Sequence, residues 1–230
     1  MVTAMQKLPD FQPVFDRYET LAREADAVFS RVRGAFPDCV TCRQGCDDCC
    51  HALFDLTLVE AAYLNNAFLR AFPSGAARSA ILERAYAADR EVHKIKRKAF
   101  KAQEAGEDVD AILTELGRKR VRCPLLGDDG LCVLYDQRPV TCRLYGVPTA
   151  IGGKGHVCGK SAFSPGTAYP TANVDKLHES LLSLSRELAL HTSSGYAEIH
   201  TVLVPVSMTL VTTYDAAYFG LGRNPERRDG

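Results

Sequence analysis

Apolar residues recur three and four positions apart along several stretches of the chain, which is the spacing of amphipathic helices. The first stretch, 10–34, predicts a helix that ends before Pro37. Similar spacing predicts a long helix through 81–99 and a further helix within 171–194. The chain is therefore expected to have a mainly α fold, with 1–230 as a single domain and helices over 10–34 and 171–194 at its flanks.

Polar residues mark where some of the helices begin. Thr57 and Glu60 have the spacing of a capping box, in which each side chain accepts a hydrogen bond from the other residue's backbone N–H. A helix is therefore predicted over 57–72. Ser74 is predicted to cap the long helix that follows, and a short helix is predicted over 109–116.

Two cysteine-bearing segments interrupt this helical scaffold. Residues 39–51 contain Gly45 and have no apolar period, so they are predicted to form a loop. Residues 123–135 are predicted to form a small β-hairpin around a glycine-bearing turn, and 152–159 a glycine-rich loop. Neither segment has enough apolar residues to fold alone. We therefore expect the two to meet in space, as a cysteine-cluster core over 39–158.

The cysteines are the main chemical feature of the chain, with nine in 230 residues and five of them within 39–50. Thiolates at this density repel one another unless a cation or covalent bonds hold them together. Residues 1–10 lack the apolar stretch of a signal peptide, and no apolar run is long enough to span a membrane. We therefore expect a cytoplasmic protein, and in that reducing compartment the pattern indicates metal binding or catalysis rather than disulfides.

The charge of the chain does not indicate binding to nucleic acid or to a membrane. There are 28 basic and 28 acidic residues, so no overall field attracts nucleic acid or an anionic membrane. The basic run 94–101 lies at a predicted helix end and is interpreted as a solvated face. The expected ligand is a metal ion or cluster, without nucleic acid or membrane, and the protein partner is left open.

Soft thiolates exclude magnesium and calcium and leave zinc, an iron–sulfur cluster or copper(I). A zinc ion or an iron–sulfur cluster takes about four such ligands, so eight cysteines fit two four-thiolate sites, or one site with additional thiols. The adjacent pair Cys49 and Cys50 and the step Cys123–Pro124 favour an iron–sulfur cluster, of [4Fe–4S] type, over zinc. The candidate metal ligands are Cys42, Cys46, Cys49, Cys50, Cys123, Cys132, Cys142 and Cys158.

Further candidates lie beside these cysteines. Arg138 and Arg143 flank Cys142, where their charges would offset thiolates and their N–H groups would donate to cluster sulfurs. We therefore predict that both arginines help to bind the cofactor, with exposed salt bridges as the alternative. His51 and His156 could each replace a thiolate in a mixed site, or lie at the surface.

The cysteine block resembles a known family. Residues 42–50 read CRQGCDDCC and are followed by CPLL at 123–126, CVLY at 132–135 and RPVTCRLY at 138–145. This ordered combination resembles the YkgJ-type cysteine-cluster family, whose core has a CxxCxxCC signature and is described as zinc- or iron-chelating. The resemblance extends over about half of the chain. It implies a metal or iron–sulfur site built from these thiols, and no settled reaction.

Two features depart from the family signature. Three residues rather than two separate Cys42 from Cys46, and Cys39 is an additional upstream thiol, either spare or a ligand. The ligand set and the number of metal centres therefore stay open.

The sequence supports a metal-binding protein whose biochemical role is otherwise unassigned. One relative, the flagellin lysine N-methylase, has a similar cysteine block and uses S-adenosylmethionine, which implies a cluster-assisted protein-modifying enzyme as one alternative. No catalytic constellation beyond the cysteines is visible in the sequence, so whether the protein is an enzyme stays open. Metal storage or delivery is the other alternative, and it requires thiolates that exchange their metal.

Overall fold

The computed structural model describes residues 9–164 and 166–221, and the α-helices within them confirm the expected mainly α fold. Among those residues, no helix combines the length and the apolar character needed to cross a membrane. The helices are α1 (Gln12–Ala35), α2 (Leu58–Ala71), α3 (Ala76–Glu104), α4 (Val109–Gly117), α5 (Val140–Leu144), α6 (Val174–His191) and α7 (Val206–Val211).

The helices that apolar spacing predicts are present. α1, α2 and α4 begin and end within two residues of the predicted ranges, and α6 is shorter than the range 171–194. Gly75 rather than Ser74 precedes α3, so the prediction that Ser74 caps this helix is wrong. The chain turns at Gly75 with a φ of 92°, a conformation that glycine adopts without strain.

Five short strands form two small sheets in the described residues. The strands are β1 (Asp55–Thr57), β2 (Thr149–Ile151), β3 (Lys154–His156), β4 (Ala172–Asn173) and β5 (Leu203–Pro205). β1 pairs antiparallel with β5, while β2 lies between antiparallel β3 and parallel β4. The range 199–211, whose sequence is equally compatible with helix and strand, contains both β5 and α7. The predicted loop over 152–159 includes β3, which follows the tight turn at Gly152–Gly153.

The predicted β-hairpin over 123–135 is reduced to one antiparallel bridge, between Leu126 and Cys132. Two backbone hydrogen bonds cross its turn, from the N–H of Gly127 to the carbonyl of Leu131 over 2.8 Å and from the N–H of Val133 to the carbonyl of Leu125 over 2.9 Å. The pairing does not extend beyond these residues.

Helix α2 lies between the two main hydrophobic clusters of the protein. Leu58 and Ala62 face the first cluster, which includes buried residues of α1 and α6. Leu64 and Phe68 face the second cluster, which includes residues of α3 and α7. All four side chains are almost fully buried, so α2 is apolar on opposite sides and holds the two halves of the core together.

Buried polar side chains connect α2 to its neighbours. Asn65 donates from Nδ2 to the carbonyls of Thr209 at 2.8 Å and Thr212 at 3.1 Å, at the end of α7. Ser185 of α6 accepts the N–H of Val59 over 3.2 Å. These bonds satisfy polar groups that would otherwise be costly to bury.

Glu60 joins the start of α2 to the start of α5. Its Oε2 accepts hydrogen bonds from the N–H and hydroxyl of Thr57, which confirms the capping box, and its Oε1 accepts the N–H of Val140 over 3.1 Å. Burial raises the pKa of Glu60, although the bonds from Thr57 and Val140 act in the opposite direction. Because α5 contains Cys142, this carboxylate fixes part of the cysteine region relative to the core.

The substitution Glu60→Ala should lower the free energy of unfolding by on the order of 3 kcal/mol, because it leaves buried donors of Thr57 and Val140 without an acceptor. Urea denaturation of the purified protein measures the change. The control is Glu83→Ala at an exposed position of α3, which should change stability by less than about 0.5 kcal/mol. Equal effects of the two substitutions would contradict the role assigned to Glu60.

Candidate metal centre

Backbone hydrogen bonds join the two cysteine-bearing segments. The N–H of Cys123 donates to the carbonyl of Cys50 over 2.6 Å, and the N–H of Val121 donates to the carbonyl of His51 over 3.0 Å. The expectation that these segments meet in space is therefore confirmed.

The eight candidate cysteines line one cavity of about 610 Å³, which we call the thiol cavity. All eight are free and partly buried. Within residues 9–164 and 166–221, no three His, Cys, Asp or Glu side chains are grouped as a metal-ion site. The eight members of the thiol cavity are Cys42, Cys46, Cys49, Cys50, Cys123, Cys132, Cys142 and Cys158. The structure places these thiols around one cavity, and their role as ligands stays a prediction.

Cys39 differs from the other cysteines because it does not line the thiol cavity. Its side chain packs against the first hydrophobic cluster. Its carbonyl accepts the N–H of Ala162 over 3.0 Å, and nearby Thr41 donates from its hydroxyl to the carbonyl of Lys160 over 2.7 Å. Cys39 thus lies where the first cysteine segment meets the chain after Cys158.

A short 3-10 helix, Asp48–His51, contains the adjacent pair Cys49 and Cys50. The thiol of Cys50 donates a hydrogen bond to the sulfur of Cys49, which lowers the pKa of Cys49 and raises that of Cys50. Cys49 is therefore the member of the pair that ionises first, and a thiolate is the form that binds a metal.

The sulfur of Cys42 lies in a narrow space beside the chain that follows α5. It is 3.6 Å from the carbonyl oxygen of Tyr145. Burial, followed by repulsion from Cys46 and Cys158, raises the pKa of Cys42 to about 11. Gly146 has a φ of 102°, and a Cβ atom at that position would overlap the Cys42 sulfur. The glycine is thus required for the position of this thiol.

Asp48 connects Cys158 to a network of polar side chains. Its Oδ2 is 3.5 Å from the Cys158 sulfur and accepts the hydroxyl of Tyr145 over 2.9 Å, while its Oδ1 accepts Arg120 over 2.7 Å. Burial alone would raise the pKa of Asp48, but the bonds from Tyr145 and Cys158 and the charges of Arg120 and Lys160 outweigh it and lower this pKa. Asp48 is therefore ionised and orients Cys158.

Sequence reasoning missed Asp48 and Arg120 as residues of the site. Their contact joins positions 72 residues apart, and neither lies in a recognisable ligand spacing. The only sequence sign was that Asp48 lies within the cysteine block.

Burial disfavours the ionised form of three further thiols of the cavity, those of Cys123, Cys132 and Cys142. Burial raises the pKa of Cys123 to about 12, and it also raises the pKa values of Cys132 and Cys142. Backbone N–H groups of Leu125 and Leu134 donate to the sulfurs of Cys123 and Cys132, respectively, and partly oppose this effect. Hydrogen bonds of this kind stabilise thiolates that are bound to a metal.

Arg138 and Arg143 both line the thiol cavity. Both guanidinium groups bind the carboxylate of Asp26 in α1, at 3.0 Å for Arg138. Arg143 also donates to the carbonyls of Arg138 and Asp136, and Arg138 lies over the ring of Tyr135 at 4.1 Å. The two arginines therefore tie α1 to the cysteine region, and a direct bond from them to a cluster sulfur stays a prediction.

The two histidines considered as ligands do not line the thiol cavity. The Nδ1 of His51 is 3.1 Å from the carbonyl oxygen of Asp47. His156 is exposed on β3 and lines a second cavity, of about 650 Å³. This second cavity shares Cys158 and Tyr145 with the thiol cavity.

A helical scaffold around a cavity lined with thiols defines a cysteine-cluster, metal-binding class of protein. Residues 41–159, more than half of the chain, match the model of the CxxCxxCC family, described as a "putative zinc- or iron-chelating domain". The chain belongs to this family. No curated protein and no solved structure matches the chain significantly.

The substitution Gly146→Ala should weaken metal binding by about tenfold to hundredfold, as is typical when a residue supporting a ligand is altered. The new methyl group would displace the Cys42 sulfur. Competition with a chromogenic chelator measures the affinity. Gly153→Ala is the matched control, since Gly153 also has a positive φ but no neighbouring atom within 4 Å of the added carbon. Equal affinities of the two variants would contradict the steric role of Gly146.

Proposed function

We propose that this protein binds an iron–sulfur cluster, of [4Fe–4S] type, through cysteines of the thiol cavity. The observation that carries the proposal is that eight thiols from three parts of the chain line one space of about 610 Å³. Iron–sulfur clusters are held by cysteine thiolates, and no other side-chain type supplies as many soft donors to this space. Zinc held by the same thiols is the competing interpretation.

The local environment of the thiols supports a cluster. The adjacent residues Cys49 and Cys50 both face the cavity, and a cluster several ångströms across accommodates neighbouring thiols more readily than one ion does. Backbone N–H groups donate to Cys123 and Cys132, and such bonds to sulfur are a means of adjusting cluster potentials.

We further propose that the cluster is a permanent part of the protein rather than a transported cargo. Burial raises the pKa values of Cys123 and Cys142, so in the metal-free protein these thiols are protonated. Metal binding releases those protons and joins loops that have few apolar residues, so metal binding and folding are coupled. This arrangement favours a structural or redox centre over storage or delivery.

Anaerobic purification followed by iron, zinc and acid-labile sulfide analysis tests the proposal. We expect iron and sulfide in about equal amounts, as in a [4Fe–4S] cluster, together with visible absorbance that is lost on exposure to oxygen. Cys39→Ser should leave both contents unchanged, because Cys39 lies outside the thiol cavity. Stoichiometric zinc without sulfide would overturn the iron–sulfur assignment.

A second candidate function is cluster-assisted modification of a substrate with S-adenosylmethionine. The observation that favours it is the second cavity, which adjoins the thiol cavity at Cys158 and has a volume of about 650 Å³. Pockets for small molecules fall in the range of about 300–1,000 Å³, so the space suits a ligand next to the metal centre.

Isothermal titration of the metal-loaded protein with S-adenosylmethionine tests this second function. We expect saturable binding that Leu177→Trp weakens by at least about tenfold, since Leu177 lines the second cavity and overfilling a packed site is unfavourable. Leu190→Trp is the control, because Leu190 is 72% exposed on the same helix. Absence of heat with the unaltered protein would remove the candidate.

A further inference from the structure

The lining of the thiol cavity contains basic side chains but no carboxylates. Five arginines contribute to it, and no aspartate or glutamate of the described residues does so. The whole chain has equal numbers of basic and acidic residues, so the excess of positive charge is a local feature of this cavity. The five are Arg33, Arg43, Arg122, Arg138 and Arg143.

Three of these arginines are paired with carboxylates that lie outside the lining. Arg138 and Arg143 both bind the carboxylate of Asp26. Arg122 lies 3.8 Å from a carboxylate oxygen of Asp128. The charges of these three guanidinium groups are therefore at least partly offset within the protein.

Arg33 and Arg43 differ from the other three. Within the described part of the chain, neither guanidinium group has a hydrogen-bond or ion-pair partner. A guanidinium group has about five N–H donors in a rigid, planar arrangement, so both side chains keep their donors for a ligand. Both arginines are exposed, and a ligand can therefore reach them from solvent.

The two unpaired arginines lie beside the same thiol. Arg43 directly follows Cys42, and the charge of Arg33 acts on the Cys42 sulfur. Phe29, one helical turn before Arg33, also lines the cavity. This part of the wall thus combines two cationic groups, an apolar ring and a thiol.

We propose that Arg33 and Arg43 form a binding site, on the solvent side of the thiol cavity, for a small organic molecule that carries a carboxylate or phosphate group. The arginines bind the oxyanion through charge-assisted hydrogen bonds, for which the planar guanidinium is well suited. The apolar body of the ligand packs against Phe29. This inference rests on the proposed function, because it places the ligand next to a metal centre in the same cavity.

The size of the cavity is consistent with such a ligand. Its volume of about 610 Å³ falls within the range of about 300–1,000 Å³ that is usual for small-molecule sites. Such sites combine mainly apolar walls with a few polar groups that orient the ligand. Arg33 and Arg43 are the polar groups that have this role here.

NMR titrations of the metal-loaded protein, observed on the ligand, test the proposal with benzoate, phenyl phosphate and benzamide. The three compounds share one aromatic ring, and benzamide is the neutral control. At least one of the two anions should bind saturably and about tenfold or more tightly than benzamide, because charge-assisted hydrogen bonds are the stronger ones. Comparison of benzoate with phenyl phosphate shows which oxyanion the site prefers.

Variants of the two arginines locate the site. Arg33→Gln and Arg43→Gln should each weaken binding of the preferred anion by about tenfold, with iron and sulfide contents unchanged. Arg97→Gln is the matched control, because it removes the same charge from an exposed position of α3 that does not line the cavity. It should bind the anion as the parent does.

The metal content of the same samples separates this inference from the proposed function. A metal-loaded parent that binds neither anion more tightly than benzamide would overturn the anion site and leave the proposed function standing. Equal effects of the three arginine substitutions would do the same. A parent without bound metal would overturn the proposed function, and with it the placement of the ligand beside a metal centre.

Discussion

The free-energy cost of ionising thiols inside a partly apolar cavity governs the structure of this protein. Burial raises the pKa values of Cys42, Cys123 and Cys142, which therefore resist becoming thiolates when no cation is present. A bound metal reverses that preference, because it gains far more from a thiolate than from a thiol. The proposed metal would therefore couple the ionisation of these thiols to the order of the loops that carry them.

The rest of the fold serves to hold those loops against a rigid support. α2 connects the two hydrophobic clusters, and the carboxylate of Glu60 at its first turn also binds the first N–H of α5. Cys142 is thus fixed to the helix that contributes to both hydrophobic clusters. In contrast, Cys158 is positioned by polar side chains through Asp48, so different parts of the cavity are held by different kinds of interaction.

Apolar spacing was sufficient to predict α1 and α6, because each of these helices buries residues at helical spacing, whereas α4 has no buried residue. The density of cysteines was sufficient to place Cys42 and Cys132 in one candidate set, since crowded thiols have few other uses. The contact of Asp48 with Arg120 and the second cavity at Cys158 could not be predicted. They depend on how distant loops settle against one another, and no local spacing encodes that arrangement.

α1 lies outside residues 41–159, yet its Phe29 and Arg33 form part of the cavity wall and its Asp26 binds the buried Arg143. The segment that matches the family is therefore shorter than the part of the chain that forms the cavity. Without α1, residues 41–159 would lack one wall of the thiol cavity and the carboxylate of Asp26 that pairs with Arg143. Transfer of this cysteine site to another protein scaffold would therefore have to include α1.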